Sequence, residues 1–154
     1  GELVCIEPYP HPLLRSLPGV QQLIERPVQE IPISNFTGLQ AGDILFIDST
    51  HTVKTGSDVN YLVLEVLPRL QVGVLVHFHD IFLPREYPEG WIKQTLMFSN
   101  EQYLLQAFLA FNAAFELEFS SAYLTVQYPE QLQEQFGGFL RWNEGCSLWL
   151  RKAR

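Results

Sequence analysis

The chain has 154 residues, of which 47% are hydrophobic and 18% charged, and a formal net charge of -7. That length suits one domain with a buried core, and the acidic balance, offset by no basic run, excludes generic nucleic-acid and anionic-membrane binding. No apolar stretch approaches the roughly 18 residues of a spanning helix, so no membrane partner is expected.

In chain order, Leu3-Val4-Cys5-Ile6 reads as a strand ending at Glu7-Pro8, where proline withdraws a ladder donor. The chain opens directly into this apolar run, which suggests a partial domain over 1–154 whose upstream neighbour is absent. Residues 1–10 carry Glu2, Glu7 and two prolines, which is not a signal-peptide pattern. Pro10–Leu17 suits a short helix, Val20–Glu25 a short strand, Arg26–Ser34 a loop, and Asn35–Leu39 a helical turn. Ile44-Leu45-Phe46-Ile47 is an unbroken apolar run, expected to be a strand buried on both faces. From Asp58, apolar residues fall at Val59, Leu62, Val63, Val66, Leu67 and Leu70, which is helical spacing. Ser57 or Asp58 suits the cap of that helix, and Gly73 follows its end.

Val74–Phe78 reads as a second buried strand, ending in His79-Asp80, and Leu83–Gly90 as a turn-rich loop placed like a lid. Asn100 starts a helix with apolar residues at Tyr103, Leu104, Ala107, Phe108 and Phe111. Phe115–Phe119 suits a strand, Tyr128–Phe136 a linker or short helix, Gly137-Gly138 a turn, and Cys146–Leu150 a last strand. Arg151-Lys152-Arg154 reads as a solvated tail. Cys5 and Cys146 each fall in an expected strand and are read as buried free thiols, which points to a cytoplasmic protein. The interleaved elements, about six strands and three or more helices, imply an α/β fold with a mostly parallel sheet.

Two parallel strands joined by a helix bring Asp48, His51, His79 and Asp80 to one carboxyl edge, where open α/β sheets bind ligands. A lone acid ending a strand is usually a loop carboxylate. Two acids and two imidazoles on one rim are more specific. The set suits a divalent ion such as Mg²⁺, Mn²⁺ or Zn²⁺. It equally suits metal-free base catalysis, with an imidazole deprotonating a hydroxyl and an Asp orienting it. Glu7, also an acid at a strand end, suits a ribose acceptor. His77 is read as a core residue or a support to the rim, and His11 as surface. No GxGxxG, P-loop or GxSxG occurs, and Ser49 lacks the glycines of a nucleophile elbow. Trp91, Trp142 and Trp149 are read as core or loop anchors.

The stretch LFIDSTHTVKTGSDVNYLVLEVLPRLQVGVLVHFHDIFLPREYP resembles the second half of class I S-adenosylmethionine-dependent methyltransferases. The closest pattern is the subgroup with Asp-x-x-His after strand four and His-Asp after strand five. VCIEPYP is similar to that family's second strand, and PVQEIP to the loop after its third. The resemblance implies a Rossmann-like sheet, mostly parallel and missing its first strand and glycine-rich loop, which in the family precede the position of residue 1. The strands flanking that gap then either pair directly or accept another segment. It further implies S-adenosylmethionine as cofactor, held by Glu7, Val28, Gln29, Asp48 and Ser49. A Mg²⁺ or other divalent ion would be held by Asp48, His79 and Asp80, and His51, His79 and Asp80 would be catalytic. The implied partner is a small-molecule hydroxyl acceptor, such as a sugar or secondary metabolite. Two other readings remain beside this one: a non-catalytic remnant acting as an interaction module or homodimer, and a metal-dependent hydrolase built on the Asp/His cluster.

Overall fold

The apolar spacing after Asp58 produces the segment around which the core forms. In the computed structural model, which describes residues 1–136 and 145–154, Val59, Leu62, Val63, Val66, Leu67 and Leu70 are all buried. The segment begins as α2 (Asp58–Asn60), continues as a π-helical stretch over Tyr61–Val66 and closes as a 3-10 turn over Leu67–Arg69. Ser57 caps it, its hydroxyl accepting the Asn60 N–H at 3.2 Å, which satisfies one of the orphan donors of the first turn. Gly73 follows in left-handed backbone (φ 91°). A Cβ there would lie 2.5 Å from that of Ala41, so only glycine fits the approach.

Six strands occur among the described residues, in two sheets rather than one. β1 (Leu3–Ile6) and β2 (Val20–Ile24) form a parallel pair. The second sheet has the order β3-β4-β6-β5, from Ile44–Ile47, Leu75–Phe78, Leu148–Lys152 and Phe115–Ser120. β3, β4 and β5 share a direction and β6 runs against them, so the strands are mostly parallel. Among the described residues β1 and β3 do not pair, so the direct pairing expected across the gap is not realised, and each strand keeps a free edge. Ile6, Ile24 and Val28 nevertheless pack against the same core as the larger sheet. The fold is mixed α/β.

Helices α1 (Ser34–Thr37), α3 (Glu89–Lys93), α4 (Glu101–Leu109), α5 (Ser121–Gln127) and α6 (Pro129–Phe136) complete the described elements. α5 had no counterpart in the expected elements. Among the described residues no helix is long and apolar enough to cross a membrane. The expected Gly137-Gly138 turn and Trp142 lie outside the described residues.

Among the described residues the sheet is covered on one side only. Val76 and Leu150, and Ile47, Phe78 and Leu148, pair across it and join the buried cluster with the helix after Asp58 and Leu105 of α4. The opposite face carries Ile44 and Phe46, which are 53% and 55% exposed, so β3 is not buried on both faces as its apolar run predicts. His77 belongs to this open face and not to the core. Its ring stacks on Trp149 at 4.2 Å, meets Phe46 edge-on at 4.9 Å, and places Nε2 2.9 Å from the Ser147 hydroxyl.

The C-terminal basic cluster is likewise not a solvated tail. Lys152 is buried, its Nζ donating to the Pro68 carbonyl at 3.1 Å and lying over the Phe115 ring, while Arg151 pairs with Glu118. Period-two alternation drives Leu148, Leu150 and Lys152 inward together.

α4 also departs from its apolar pattern. Its buried residues are Glu101, Gln102 and Leu105, while Tyr103 and Phe111 are exposed. Cys5 and Cys146 are free, as expected, but half-buried, and Cys146 precedes its strand.

Candidate active site

β3 and β4 pair residue for residue, from Ile44 opposite Leu75 to Ile47 opposite Phe78. Their next residues therefore emerge side by side. The chain turns sharply just past both strands, with His51 and Asp80 in left-handed backbone at φ 54° and 58°. Such conformations are uncommon for non-glycine residues and gather at functional sites. They bring the four expected rim residues together. His51 Nε2 lies 3.4 Å from Asp48 Oδ1 and 3.6 Å from Asp80 Oδ2. His79 Nδ1 lies 3.0 Å from Asp80 Oδ1 and 4.0 Å from Asp48 Oδ1. The shorter contact is an ion-pair separation and not an aligned hydrogen bond, since Nδ1 has no hydrogen-bond partner.

The residue that organises the rim is one the sequence reading did not select. Glu101, in the first turn of α4, is fully buried. Its Oε2 lies 2.8 Å from His51 Nδ1 and accepts the Ser49 hydroxyl at 3.0 Å. The Ser49 oxygen in turn accepts the His51 N–H at 2.9 Å. The His51 carbonyl accepts from the Asn100 N–H at 2.9 Å, and Asn100 Oδ1 accepts the Val53 N–H. The turn carrying His51 is thus sewn to the start of α4, and its imidazole is held by Nδ1 so that Nε2 faces the two rim carboxylates. A buried ion pair with further hydrogen bonds is the arrangement in which desolvation is offset.

Burial pulls the His51 pKa down, but the Glu101 hydrogen bond and the charges of Glu101, Asp80 and Asp48 outweigh it and hold the imidazole above its ordinary 6.5. His77 moves the other way, lowered by burial and then by neighbouring His79. A base whose pKa rises on folding stabilises the fold below 6.5 and loses that contribution as pH climbs through the raised value. A base whose pKa falls on folding costs stability as pH drops from 6.5 toward the depressed value. Thermal melts of metal-free protein should therefore peak near pH 6.5, falling on the alkaline side through His51 and on the acid side through His77. His51→Gln should flatten only the alkaline limb and His77→Gln only the acid limb; a melt curve unchanged by either variant overturns the assignment.

The remaining expected residues are less concentrated. Glu7 is half-buried at the carboxyl end of β1; its Oε1 accepts the Tyr9 N–H at 2.9 Å, and Oε2 makes no hydrogen bond among the described residues. Val28 and Gln29 form the 3-10 turn after β2, Val28 half-buried against the core and Gln29 exposed. The Ser49 hydroxyl donates its hydrogen bond to Glu101. The loop Leu83–Gly90 is pinned rather than loose. The Gln102 N–H donates to the Tyr87 hydroxyl, Gln102 Nε2 donates to the Arg85 carbonyl, and Tyr87 packs among Phe82, Trp91 and Tyr103. That enclosure, chiefly by burial, pushes the Tyr87 pKa to about 12. His11 is at the surface, capping the turn that follows it.

Among the described residues two groups of donors lie close enough to share an ion: Asp48, His51 and Asp80 in one, and His79, Asp80 and Cys146 in the other. Asp80 is common to both. Burial, followed by the Asp80 charge, pushes the Cys146 thiol up from its usual 9.0.

A family model described as a methyltransferase domain matches residues 1–81, just over half of the chain. The match takes in β1 to β4 and every site residue expected from the sequence, while Glu101 and Cys146 lie beyond it. Comparisons with curated proteins and with solved structures gave no match. The chain belongs to the class I S-adenosylmethionine-dependent methyltransferase family.

Proposed function

We propose that the rim serves transfer of a methyl group from S-adenosylmethionine to a hydroxyl of a small molecule, assisted by a divalent ion. The observation that carries this reading is the convergence of Asp48 and Asp80 on His51 Nε2, at 3.4 and 3.6 Å, at the ends of adjacent parallel strands. In open α/β sheets such a rim is where ligands bind.

The residues suit the cofactor. One oxygen of Glu7 is occupied by its own loop, which leaves the other for a ribose hydroxyl. Val28 offers an apolar wall for the adenine, with Gln29 beside it and Asp48 at the next rim. When bound, S-adenosylmethionine supplies an electrophilic methyl on a sulfonium. Everything else falls to the chain. Asp48 and Asp80, with a rim imidazole, would hold the ion that lowers the acceptor's pKa. His51 or His79 would take the hydroxyl proton. Positioning of that hydroxyl accounts for most of the remaining advantage, and the pinned Leu83–Gly90 loop would restrict water.

One observation favours a second reading, an interaction module without catalysis. β1 and β3 keep free edges, and the sheet face bearing Ile44 and Phe46 is open; both features favour self-association. Calorimetry with S-adenosylhomocysteine, with and without Mg²⁺, separates the readings. Saturable heat from the nucleoside supports the methyltransferase. Heat from the metal alone points to the hydrolase chemistry that the same cluster allows. Silence in both, together with dimerisation in sedimentation, establishes the module and overturns the main proposal.

A further inference from the structure

The four rim residues do not stand equivalently toward an ion, and the difference lies in how each imidazole is held. His51 is nine-tenths buried on its side chain. Its Nδ1 is occupied by Glu101 Oε2 at 2.8 Å, and Glu101 is itself buried and tied to Ser49. A carboxylate on one ring nitrogen fixes the tautomer and leaves the other nitrogen's lone pair outward, the arrangement typical of a metal-bound histidine. The outward nitrogen faces Asp48 Oδ1 at 3.4 Å and Asp80 Oδ2 at 3.6 Å. Those separations exceed a charge-assisted hydrogen bond, about 2.7–2.9 Å. They are close to the spacing of roughly 3.0–3.4 Å between two donors that each sit about 2.1 Å from one ion. His79 is different. It is 41% exposed, and its Nδ1 lies 4.0 Å from Asp48 and beside the other oxygen of Asp80. Among the described residues no buried carboxylate supports its ring.

We infer that the rim holds its divalent ion through Asp48 Oδ1, His51 Nε2 and Asp80 Oδ2, with Glu101 as the positioning residue for His51, and that this donor set selects a first-row transition ion over Mg²⁺. An imidazole among the ligands favours Zn²⁺, Co²⁺, Fe²⁺ or Ni²⁺, whereas Mg²⁺ prefers oxygen and retained water. His79 is then left off the ion, facing Asp80 Oδ1, and is the imidazole free to take the acceptor's proton. The inference rests on the rim being an ion site, as the proposed function holds, but not on the methyl donor.

The test is Co²⁺ titration of the full chain, followed by visible absorption and by calorimetry, with Mg²⁺ in parallel and no nucleoside present. Wild type should bind Co²⁺ at least about tenfold more tightly than Mg²⁺, with visible ligand-field bands. His51→Ala should abolish the bands. Glu101→Gln leaves all three donors in place and loosens only the ring, so it should weaken Co²⁺ by about 10–100-fold while near-ultraviolet circular dichroism reports an intact fold. His79→Ala and Cys146→Ser should keep the affinity within a few-fold. If His79→Ala loses the ion and both His51→Ala and Glu101→Gln keep it, the inference is overturned while the ion-assisted reading stands with the other imidazole. If folded wild type binds neither Co²⁺ nor Mg²⁺, the inference and the ion part of the proposed function fall together. The S-adenosylhomocysteine calorimetry decides the methyl donor separately.

Discussion

Phe78→Ala should destabilise the fold by about 3–5 kcal/mol, the range for deleting a fully buried aromatic ring. Phe78 has no exposed surface and sits on β4, between β3 and β6, opposite Ile47 and Leu148, which are themselves buried. A void there has rigid sheet on two sides, so it collapses poorly and the cost falls toward the upper end. Urea unfolding would show the loss as a lower midpoint with an unchanged slope. A shift under about 1 kcal/mol would mean that this strand is not the packed centre of the sheet. Because His79 and Asp80 follow Phe78 directly, affinity at the rim should fall in the same variant even where it remains folded.

Asp80→Ala should reduce divalent-ion affinity by more than about a hundredfold, beyond the 10–100-fold typical of outer partners. The reason is its double position. One oxygen faces His51 Nε2 and the other His79 Nδ1, and Asp80 is the only residue common to both donor groups. Asp48, its side chain 55% exposed against 19% for Asp80, is the less firmly held donor, and Asp48→Ala should cost less. Calorimetry with Co²⁺ reads both. Equal affinities in wild type and Asp80→Ala would remove Asp80 from the site and, with it, the ion chemistry proposed here.

Much of this was legible in the sequence where one signal dominated. The six positions Val59, Leu62, Val63, Val66, Leu67 and Leu70 are all buried because helical spacing gathers them on one face, while Leu64 between them is 48% exposed. The rim followed from two strand ends and a short crossover, and its side chains do meet. What escaped was information held by distant segments. Glu101 looks like any acid in a first helical turn, where the helix dipole welcomes it. Nothing local says that a histidine fifty positions earlier closes on it. The run Ile44–Ile47 reports that a strand is apolar but not whether both faces are roofed, and here one is not. Lys152 reads as a tail because terminal basic residues usually are. Only its place in the alternation of β6 reveals that its stem lies inside, with its ammonium answered by the Pro68 carbonyl. The reversed direction of β6 carries no local signature at all, since an apolar alternation reads the same either way.

His51 and Asp80 hold backbone angles that glycine would adopt without penalty. At His51 the buried pair with Glu101 opposes such a change, but at Asp80 variants chosen for heat tolerance alone would drift toward glycine or asparagine, relieving the bend and erasing the carboxylate. On the proposed chemistry, ruggedness and turnover pull against each other at that residue, so a screen for tougher versions of this protein needs ion binding or turnover selected alongside.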